Sequence, residues 1–253
     1  MLNIVIPMAG RGSRFVQEGY PEPKPLIPIH GTPMIRYVID NLTPSRPHRF
    51  IFICQAAHLQ EHDLGAYLRS VCPTSQIIPL DGITQGAACS VLTAEHLIDS
   101  NDPLMIANCD QYVEFSIDDY LVSMENNRRD GQIMTMKAND PKWSYVKLSK
   151  SGQVELVVEK VVVSDEATVG IYNYRSGAGF VRSAKQMIAA NDRCNNEFYV
   201  APAYNYMIRE GLRIGTYSVG SVGAGMYGLG IPTDLELFRS LPVSHRIGRR
   251  MAA

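Results

Sequence analysis

Continuous apolar runs alternate with helix-like segments through the first half of the chain. Short runs that are apolar at nearly every position are typical of strands buried on both faces, and they predict strands at residues 3–7, 49–54, 76–80 and 103–110. Between them, apolar residues recur at helical spacing, which predicts helices at residues 33–42, 58–71 and 86–98. Thr32 is expected to cap the first of these helices. Four strands that alternate with helices predict a parallel, doubly wound sheet.

The second half of the chain mixes strands and helices less regularly. Ser116 is expected to cap a helix at 117–126, and Ser151-Gly152 predicts a hairpin turn within residues 145–160. Further strands are predicted at residues 132–138, 166–174 and 212–220, and further helices at 179–189, 201–211 and 232–240. The basic end of the chain, residues 244–253, is predicted to be a flexible, frayed tail. The expected fold class is α/β, a Rossmann-like doubly wound mixed sheet with a small β-rich region.

Composition is that of an ordinary globular chain. Of the 253 residues, 45% are hydrophobic and 19% are charged, and 24 Lys and Arg stand against 25 Asp and Glu. This balance gives no reason to expect binding to nucleic acid or to an anionic membrane. The five cysteines include no Cys-x-x-Cys pair, and no apolar stretch reaches about 18 residues. A cytoplasmic protein with reduced cysteines is therefore expected.

A loop with two glycines and two arginines, MAGRGSRF at residues 8–15, follows the first predicted strand. Ligands of open α/β sheets bind at the carboxyl ends of the strands, and glycine-rich backbone there can cradle a phosphate. A P-loop would end in Gly-Lys-Ser or Gly-Lys-Thr, whereas this loop ends in Ser13-Arg14-Phe15. A dinucleotide-binding fingerprint would need a third glycine in place of Phe15. Two interpretations remain: a nucleotidyltransferase loop, followed by Lys24 between two prolines, and a tight turn with solvated arginines.

The loop and the segment after it, PMAGRGSRF…PKPLIPIHGTPMI, resemble the signature of the nucleotide-sugar pyrophosphorylases, which are sugar-phosphate nucleotidyltransferases. Later segments are similar to that family's motifs and occur in the same order: QGAACSVLTA, IANCDQ, VEK with ATVGIYNY, NEFYVAPAYNYMIREG and GLGIPTDLELF. The form PMAG looks closest to a branch found with capsule genes, which resembles CTP:phosphoglutamine and phosphocholine cytidylyltransferases. The resemblance covers residues 3–238.

The resemblance implies a nucleotide-diphospho-sugar transferase fold and a defined reaction. A single domain is expected at residues 1–243, with a nucleotide-binding half at 1–115 and an acceptor-binding half at 116–243. In the implied reaction, a phosphate monoester attacks the α-phosphorus of a nucleoside triphosphate and pyrophosphate leaves. Because the acceptor phosphate is already a nucleophile, catalysis consists of alignment and charge neutralisation.

The resemblance also assigns roles to individual residues. Arg14 is expected at the leaving pyrophosphate, Lys24 at the α-phosphate and Lys160 at the acceptor phosphate. Asp110 is expected to hold Mg²⁺, a cation suited to carboxylate and phosphate oxygens. Nucleotide contacts are expected from Met8, Ala9, Gly10, Arg11, Gly12, Ser13, Arg14, Gln85, Gly86, Ala87 and Asp110. Acceptor contacts are expected from Glu159, Lys160, Tyr172, Glu197, Tyr199 and Asn205.

One position departs from the family pattern. The sugar enzymes usually carry a second metal-binding aspartate just before the closing element, and Gly228 stands there in this chain. Asp234 is nearby in sequence, but its expected role is that of a negative charge in the first turn of a helix. The second metal ligand therefore stays undefined at this point.

The nucleotide and the acceptor are less narrowly defined than the reaction. The resemblance favours transfer of CMP from CTP, for capsule or surface polysaccharide biosynthesis. The alternative is a sugar-1-phosphate pyrophosphorylase that uses UTP, dTTP or GTP. A glycosyltransferase with a similar α/β fold would require an Asp-x-Asp metal-binding motif, and Asn108 stands where the first aspartate of that motif would be. Because Gly228 replaces the usual metal-binding aspartate, a non-catalytic regulator that binds nucleotides stays an alternative. The sequence is also compatible with a homodimer.

Overall fold

The structure is a computed structural model that describes residues 1–252, and of residues 249–252 it describes the backbone alone. The strands are β1 Leu2–Met8, β2 Pro28–Ile29, β3 Thr32–Pro33, β4 His48–Gln55, β5 Gln76–Leu80, β6 Leu104–Ala107, β7 Gln111–Val113, β8 Gly131–Lys137, β9 Ser144–Leu148, β10 Val154–Glu159, β11 Glu166–Tyr174, β12 Ile214–Val222 and β13 Gly225–Gly228. The helices are α1 Ser13–Gln17, α2 Met34–Leu42, α3 Ala56–Glu61, α4 Leu64–Val71, α5 Ala87–Leu92, α6 Glu95–Ile98, α7 Ile117–Asn126, α8 Gly177–Ala189, α9 Tyr204–Arg209, α10 Pro232–Ser240 and α11 Pro242–Ala252. Two short 3₁₀ turns lie at Lys24–Leu26 and Ala201–Ala203.

One large sheet contains eleven of these strands. Its first part has the order β5-β4-β1-β6, and these four strands are all parallel. Strand β11 joins β6 in antiparallel orientation, which makes the sheet mixed. The predicted α/β class and the mixed sheet are confirmed. Because β7 pairs with β13 near the end of the chain, both halves of the sequence contribute to the same sheet.

The parallel strands place the loops that carry polar residues at one edge of the sheet. Strands β1, β4, β5 and β6 all run in the same direction, so the segments that follow them emerge side by side. These segments are residues 9–12, 81–86 and 108–110, together with α3 after β4. The edge where the parallel strands end is therefore where a binding site can form.

Apolar side chains of the strands pack on both faces of the sheet. Along β1, Ile4 and Ile6 belong to the core on one face, whereas Val5 belongs to the core on the other. This alternation explains why the run is apolar at every position. A third, smaller cluster joins Phe15 after the glycine loop to Leu235 of α10 and other buried residues near the end of the chain. The C-terminal helices thereby support the loop.

Several predicted helices differ in detail from the structure. Ser116 caps α7 as predicted, since its hydroxyl oxygen accepts the Asp119 N–H. The predicted cap at Thr32 is wrong, because Thr32 belongs to β3, which pairs with β2, and α2 begins at Met34. The predicted helix at 58–71 is divided between α3 and α4, and the one at 86–98 between α5 and α6. In the second case, Thr93 Oγ1 donates to the Ser90 carbonyl and competes with the helical backbone.

The end of the chain is helical where a frayed tail is predicted. Helix α11 spans Pro242–Ala252, and Ala253 lies outside the described residues. Val243 and Ile247 lie one helical turn apart and are buried in the third cluster. Ser244 is fully buried, and its Oγ lies 2.9 Å from Nε2 of His30. The two apolar residues at positions i and i+4 of this basic segment are the signal that could have predicted the helix.

Candidate active site

Two adjoining cavities lie at the edge where the parallel strands end. The first, which we call the loop cavity, has a volume of about 330 Å³. It is lined by residues 7–10 and by Lys24 among others, and also by Ile83, Thr84, Gly86, Ala87 and Ser90. The second, which we call the aromatic cavity, has a volume of about 460 Å³ and contains Trp143, Tyr172 and Tyr199. Residues of both cavities are Ala87, Asn108 and Asp110. Two ligands bound in these cavities would therefore meet at Asp110.

An ion pair stands where the two cavities meet. Lys24 Nζ donates to Oδ2 of Asp110 at 2.7 Å, and the two side chains are only 19% and 24% exposed. Burial alone would lower the pKa of Lys24, but the Asp110 carboxylate outweighs it and the pKa is raised above its ordinary value. Lys24 is therefore a protonated, positioned cation. Its segment is held in place by the 3₁₀ turn that begins at Lys24 between two prolines.

The glycine loop brings the backbone close to the lysine. Gly12 has a φ of +61° and precedes α1, and a Cβ atom there would lie 3.4 Å from Cβ of Lys24. Met8, Ala9 and Gly10 line the loop cavity. Arg14, at the end of the same loop, lines the aromatic cavity and not the loop cavity.

Gly86 fits directly against the backbone of Phe198. Its φ is +123°, and a Cβ atom there would lie 2.5 Å from the Phe198 carbonyl oxygen and 2.6 Å from its nitrogen. Backbone hydrogen bonds join Phe198 N–H to the Gln85 carbonyl at 2.8 Å and Ala88 N–H to the Phe198 carbonyl at 3.0 Å. These contacts tie the loop cavity to the segment that leads to Tyr199 in the aromatic cavity.

The aromatic cavity holds a buried carboxylate. Glu159 is 8% exposed and accepts a hydrogen bond from the Ser144 hydroxyl. Burial raises the pKa of Glu159, although the Ser144 hydrogen bond and Lys160 oppose this effect. A buried carboxylate in a cavity can accept hydrogen bonds from ligand hydroxyl groups or bind an ammonium group.

Lys160 adds a cation to the same cavity. Its Nζ donates to the Tyr199 hydroxyl at 2.7 Å, and this hydrogen bond is the largest cause of the raised pKa of Lys160. Lys160 has a φ of +57°, a left-handed conformation that a residue with a side chain rarely adopts. Its backbone N–H donates to the Trp143 carbonyl at 3.1 Å. Strained residues of this kind cluster at functional sites.

A second carboxylate fills the space beside Gly228. A Cβ atom at Gly228 would lie 3.3 Å from Oδ2 of Asp234, and both residues line the aromatic cavity. A Cβ atom at Gly230 would lie 2.7 Å from Oδ2 of Asp110. The small residues at 228 and 230 therefore make room for two carboxylates, one from the loop after β6 and one from the first turn of α10. Among the described residues, no group of three or more His, Cys, Asp and Glu has metal-binding geometry.

Most of the predicted binding residues line one of the two cavities. Those that do are Met8, Ala9, Gly10, Arg14, Lys24, Gly86, Ala87, Asp110, Glu159, Lys160, Tyr172, Glu197 and Tyr199. Arg11, Gly12 and Ser13 belong to the glycine loop but line neither cavity. The structure brings together segments that are more than 180 residues apart in sequence, from Met8 to Tyr199.

Three further predicted residues are placed differently from the prediction. Asn205 does not line the aromatic cavity, because both ends of its amide bond to the Val157 backbone at 2.8 Å. Glu197, predicted at the acceptor, lines the loop cavity instead. Gln85 lines neither cavity, since its side-chain oxygen accepts from Arg193 at 2.9 Å.

Several residues that line the cavities are not among those predicted from the sequence. The aromatic cavity also contains Lys142, Trp143, Ser144 and Asp234, and the loop cavity also contains Thr84 and Ser90. Thr84 Oγ1 and Ser90 Oγ lie 2.7 Å apart. Trp143, the only tryptophan of the chain, stands two residues before the predicted hairpin at 145–160, and its position was the one available signal.

Two adjoining cavities that meet at a lysine–carboxylate pair, at the carboxyl ends of the parallel strands, lie where open α/β sheets bind their ligands. The match to a family model is more specific. Residues 4–205 match the model described as Nucleotidyl transferase, and the chain belongs to that family.

Curated and solved proteins agree with this assignment. The mannose-1-phosphate guanylyltransferase catalytic subunit beta of Danio rerio is 24% identical over 176 residues, which are 68% of this chain and 49% of that protein. The chain therefore spans about half the length of this curated relative.

None of the described helices is both long enough and apolar enough to cross a membrane.

Solved structures share the fold. The nucleoside-diphosphate-sugar pyrophosphorylase from Vibrio cholerae RC9 matches with a TM-score of 0.79 at 23% identity, over 94% of this chain and 100% of that one. The inositol-1-phosphate CTP transferase from T. maritima matches with a TM-score of 0.68 at 13% identity, over 92% of this chain and 90% of that one. At these identities, the likeness shows the fold.

Proposed function

We propose that this chain is a nucleotidyltransferase that transfers CMP from CTP to a phosphate monoester and releases pyrophosphate. The observation that carries the proposal is the Lys24–Asp110 pair at the meeting point of two cavities, in a chain of the Nucleotidyl transferase family. The PMAG form of the glycine loop favours a role in capsule or surface polysaccharide biosynthesis.

The proposed mechanism relies on positioned charges. The loop cavity binds the nucleotide, with backbone of residues 8–10 beside the phosphates and small side chains beside the base. Lys24 stabilises the charge that develops at the α-phosphorus. Arg14, exposed at the end of the loop, neutralises the leaving pyrophosphate.

The acceptor binds in the aromatic cavity. Lys160 binds its phosphate, and Glu159 accepts a hydrogen bond from a hydroxyl or ammonium group elsewhere on the molecule. Because the acceptor phosphate is already nucleophilic, no residue has to remove a proton from it. The chain lowers the barrier by aligning this oxygen with the α-phosphorus.

Mg²⁺ fits the donors at the junction of the cavities. Mg²⁺ is usually held by one or two carboxylates together with substrate phosphates and water. Asp110 and Asp234 supply two carboxylates beside the space left by Gly228 and Gly230. The ion supplies neutralisation of phosphate charge when it is bound.

CTP is favoured over other triphosphates, and a second candidate has its own support. One structural neighbour is described as a CTP transferase for inositol 1-phosphate. The curated relative is described as a mannose-1-phosphate guanylyltransferase. A sugar-1-phosphate pyrophosphorylase that uses GTP, UTP or dTTP is therefore the second candidate.

A phosphate-release assay tests the proposed function. The protein is incubated with each of four triphosphates, Mg²⁺, inorganic pyrophosphatase and a panel of phosphate monoesters that includes phosphocholine and several sugar 1-phosphates. Phosphate release is expected with CTP, and CTP is expected to raise the thermal unfolding temperature most among the triphosphates.

The outcomes of this assay separate the candidates. Release with GTP, UTP or dTTP and a sugar 1-phosphate would favour the second candidate. Release of a nucleoside diphosphate from an added nucleotide sugar, without release of phosphate by the pyrophosphatase, would favour a glycosyltransferase. Triphosphate binding without release in any combination would favour a regulator.

Replacing Asp234 tests the second carboxylate. Asp234→Asn keeps the shape of the side chain and removes its charge, so we expect Mn²⁺ to bind about tenfold more weakly in the presence of CTP. Binding is measured from the electron paramagnetic resonance signal of free Mn²⁺. Glu236→Gln, on the same helix and outside both cavities, is the matched control. Equal Mn²⁺ affinities would leave Asp234 with the role of a helix first-turn charge.

A further inference from the structure

A third cavity lies at the opposite edge of the sheet from the candidate active site. Its volume is about 720 Å³, larger than either cavity of the active site. Five arginines line it, and we call it the arginine cavity: Arg46, Arg128, Arg129, Arg175 and Arg213. Its size lies within the range of ligand pockets for small molecules.

The arginine cavity is separated from the active site by the length of the strands. Leu2 at the start of β1 lines the arginine cavity, whereas Met8 at its end lines the loop cavity. Six residues of extended strand correspond to roughly 20 Å. On β11 the neighbouring residues Tyr172 and Asn173 line the aromatic cavity and the arginine cavity, respectively, and successive side chains of a strand point to opposite faces of the sheet. A ligand in the arginine cavity would therefore not touch the catalytic residues.

The arginines of this cavity outnumber the carboxylates that pair with them. Arg46 binds Glu125, and Arg175 lies 3.6 Å from Asp130. The guanidinium of Arg129 donates to Oε1 of Gln132 at 2.6 Å and to the Thr216 carbonyl at 2.9 Å, and both acceptors are neutral.

Two further arginines add to this positive charge. Arg213 Nη2 donates to the backbone carbonyl of Arg128. Among the described residues, neither Arg128 nor Arg213 forms an ion pair through its side chain. The cavity therefore carries an excess of positive charge that an anion would compensate.

Arg128 occupies a position where glycine is usual. It follows α7 with a φ of +49°, and its N–H donates to the Glu125 carbonyl at 2.9 Å. Such left-handed positions after a helix are most often glycine, because a Cβ atom is unfavourable there. The chain keeps an exposed arginine at this strained position on the rim of the cavity.

The floor of the arginine cavity is apolar with one buried polar atom. Leu2, Leu121 and Met124 are at least 93% buried and line it. Asn173 is 2% exposed, and its Oδ1 has no hydrogen-bond partner among the described residues. A buried amide oxygen without a partner is costly, and a hydroxyl or amino group of a ligand would satisfy it.

We infer that the arginine cavity is a second ligand site, which binds an organic anion with an apolar body and a hydrogen-bond donor. The anionic group binds Arg128 and Arg213 at the rim, the apolar body covers Leu121 and Met124, and a donor reaches Asn173. Inorganic phosphate alone would be too small to touch rim and floor together in this volume. The inference is independent of the reaction proposed above.

The test uses a fluorescent aromatic anion, 8-anilinonaphthalene-1-sulfonate, as the probe. We expect saturable binding of one probe molecule to the folded wild-type chain, and equal binding to Lys24→Met, whose change lies in the active site. Arg128→Glu with Arg213→Glu is expected to weaken binding by about tenfold to a hundredfold, since charge-assisted hydrogen bonds are lost. Displacement by CDP or by octanoate then shows whether phosphates or carboxylates fit better.

Two further variants keep the test decisive. Met124→Trp fills the floor without changing charge and is expected to reduce probe binding, while thermal unfolding shows that the variant folds. Arg69→Glu, an exposed arginine outside the cavity, is the matched control and is expected to bind the probe like the wild type. The inference is overturned if probe binding is not saturable, or if the Arg128 and Arg213 changes lower affinity no more than Arg69→Glu.

Discussion

Replacing Lys24 with methionine is expected to lower kcat for CMP transfer by about a hundredfold to a thousandfold, the usual loss when one positioned charge at a reacting group is removed. The lysine is pre-set for this role, because Asp110 holds its ammonium at the junction of the two cavities. Methionine keeps the length of the side chain and removes the charge. Steady-state kinetics with CTP and the best acceptor from the assay measure the effect.

The control for Lys24→Met has to separate catalysis from stability. Lys150→Met removes an exposed lysine in the turn between β9 and β10 and is expected to leave kcat unchanged. Asp110→Asn combined with Lys24→Met removes both charges of the ion pair, so a purely structural pair would regain stability and activity in the double variant. We expect stability to recover in part and activity to stay lost. A single variant that keeps more than about a tenth of the wild-type kcat would contradict the proposed role.

The residues of this ion pair were predictable because each stands in a distinctive local pattern. Lys24 lies between two prolines after a glycine loop, and Asp110 follows a buried apolar strand. The parallel arrangement of β1 and β6 then brings the two segments together at one edge of the sheet. The pattern of the strands and their order in the sheet therefore predict the place where the two cavities meet.

Other residues of the site depend on contacts that no local pattern reveals. Asp234 appears in the sequence as an ordinary helix first-turn charge, and only the pairing of β13 with β7 brings the segment from Gly228 to Asp234 to the loop that carries Asp110. Asn205 shows the reverse case. It stands among aromatic residues that suggest a pocket, yet the Val157 backbone uses both ends of its amide.

The end of the chain was mispredicted for a related reason. Its arginines and small residues outweigh the two apolar positions, Val243 and Ile247, in any average over the segment. Those two positions are buried against α10 and the residues that support the glycine loop. Burial of a few side chains on an existing surface stabilises a helix that the segment would not form alone.

Replacing Gly86 with alanine is expected to be a severely damaging change at the candidate active site, for two independent reasons. A φ of +123° is unfavourable for any residue with a Cβ atom, and that atom would also lie 2.5 Å from the Phe198 carbonyl oxygen. The backbone at Gly86 and the backbone at Phe198 cannot move apart easily, because hydrogen bonds join Phe198 to Gln85 and Ala88, which flank Gly86 in the chain. We expect the free energy of unfolding to fall by about 3 kcal/mol or more, the range of severe core changes.

A substitution at a second glycine of the same loop separates the destabilisation caused by the Phe198 contact from that caused by backbone strain. Gly82 has a φ of +87°, but a Cβ atom there would meet nothing within 4 Å. Gly82→Ala is therefore expected to cost only the strain, about 1 kcal/mol. Urea unfolding measures both variants, and equal midpoints would show that the Phe198 contact does not matter. If the contact does matter, Gly86→Ala also weakens CTP binding in calorimetry while Gly82→Ala does not, because Phe198 and Ala87 move together and Ala87 lines both cavities.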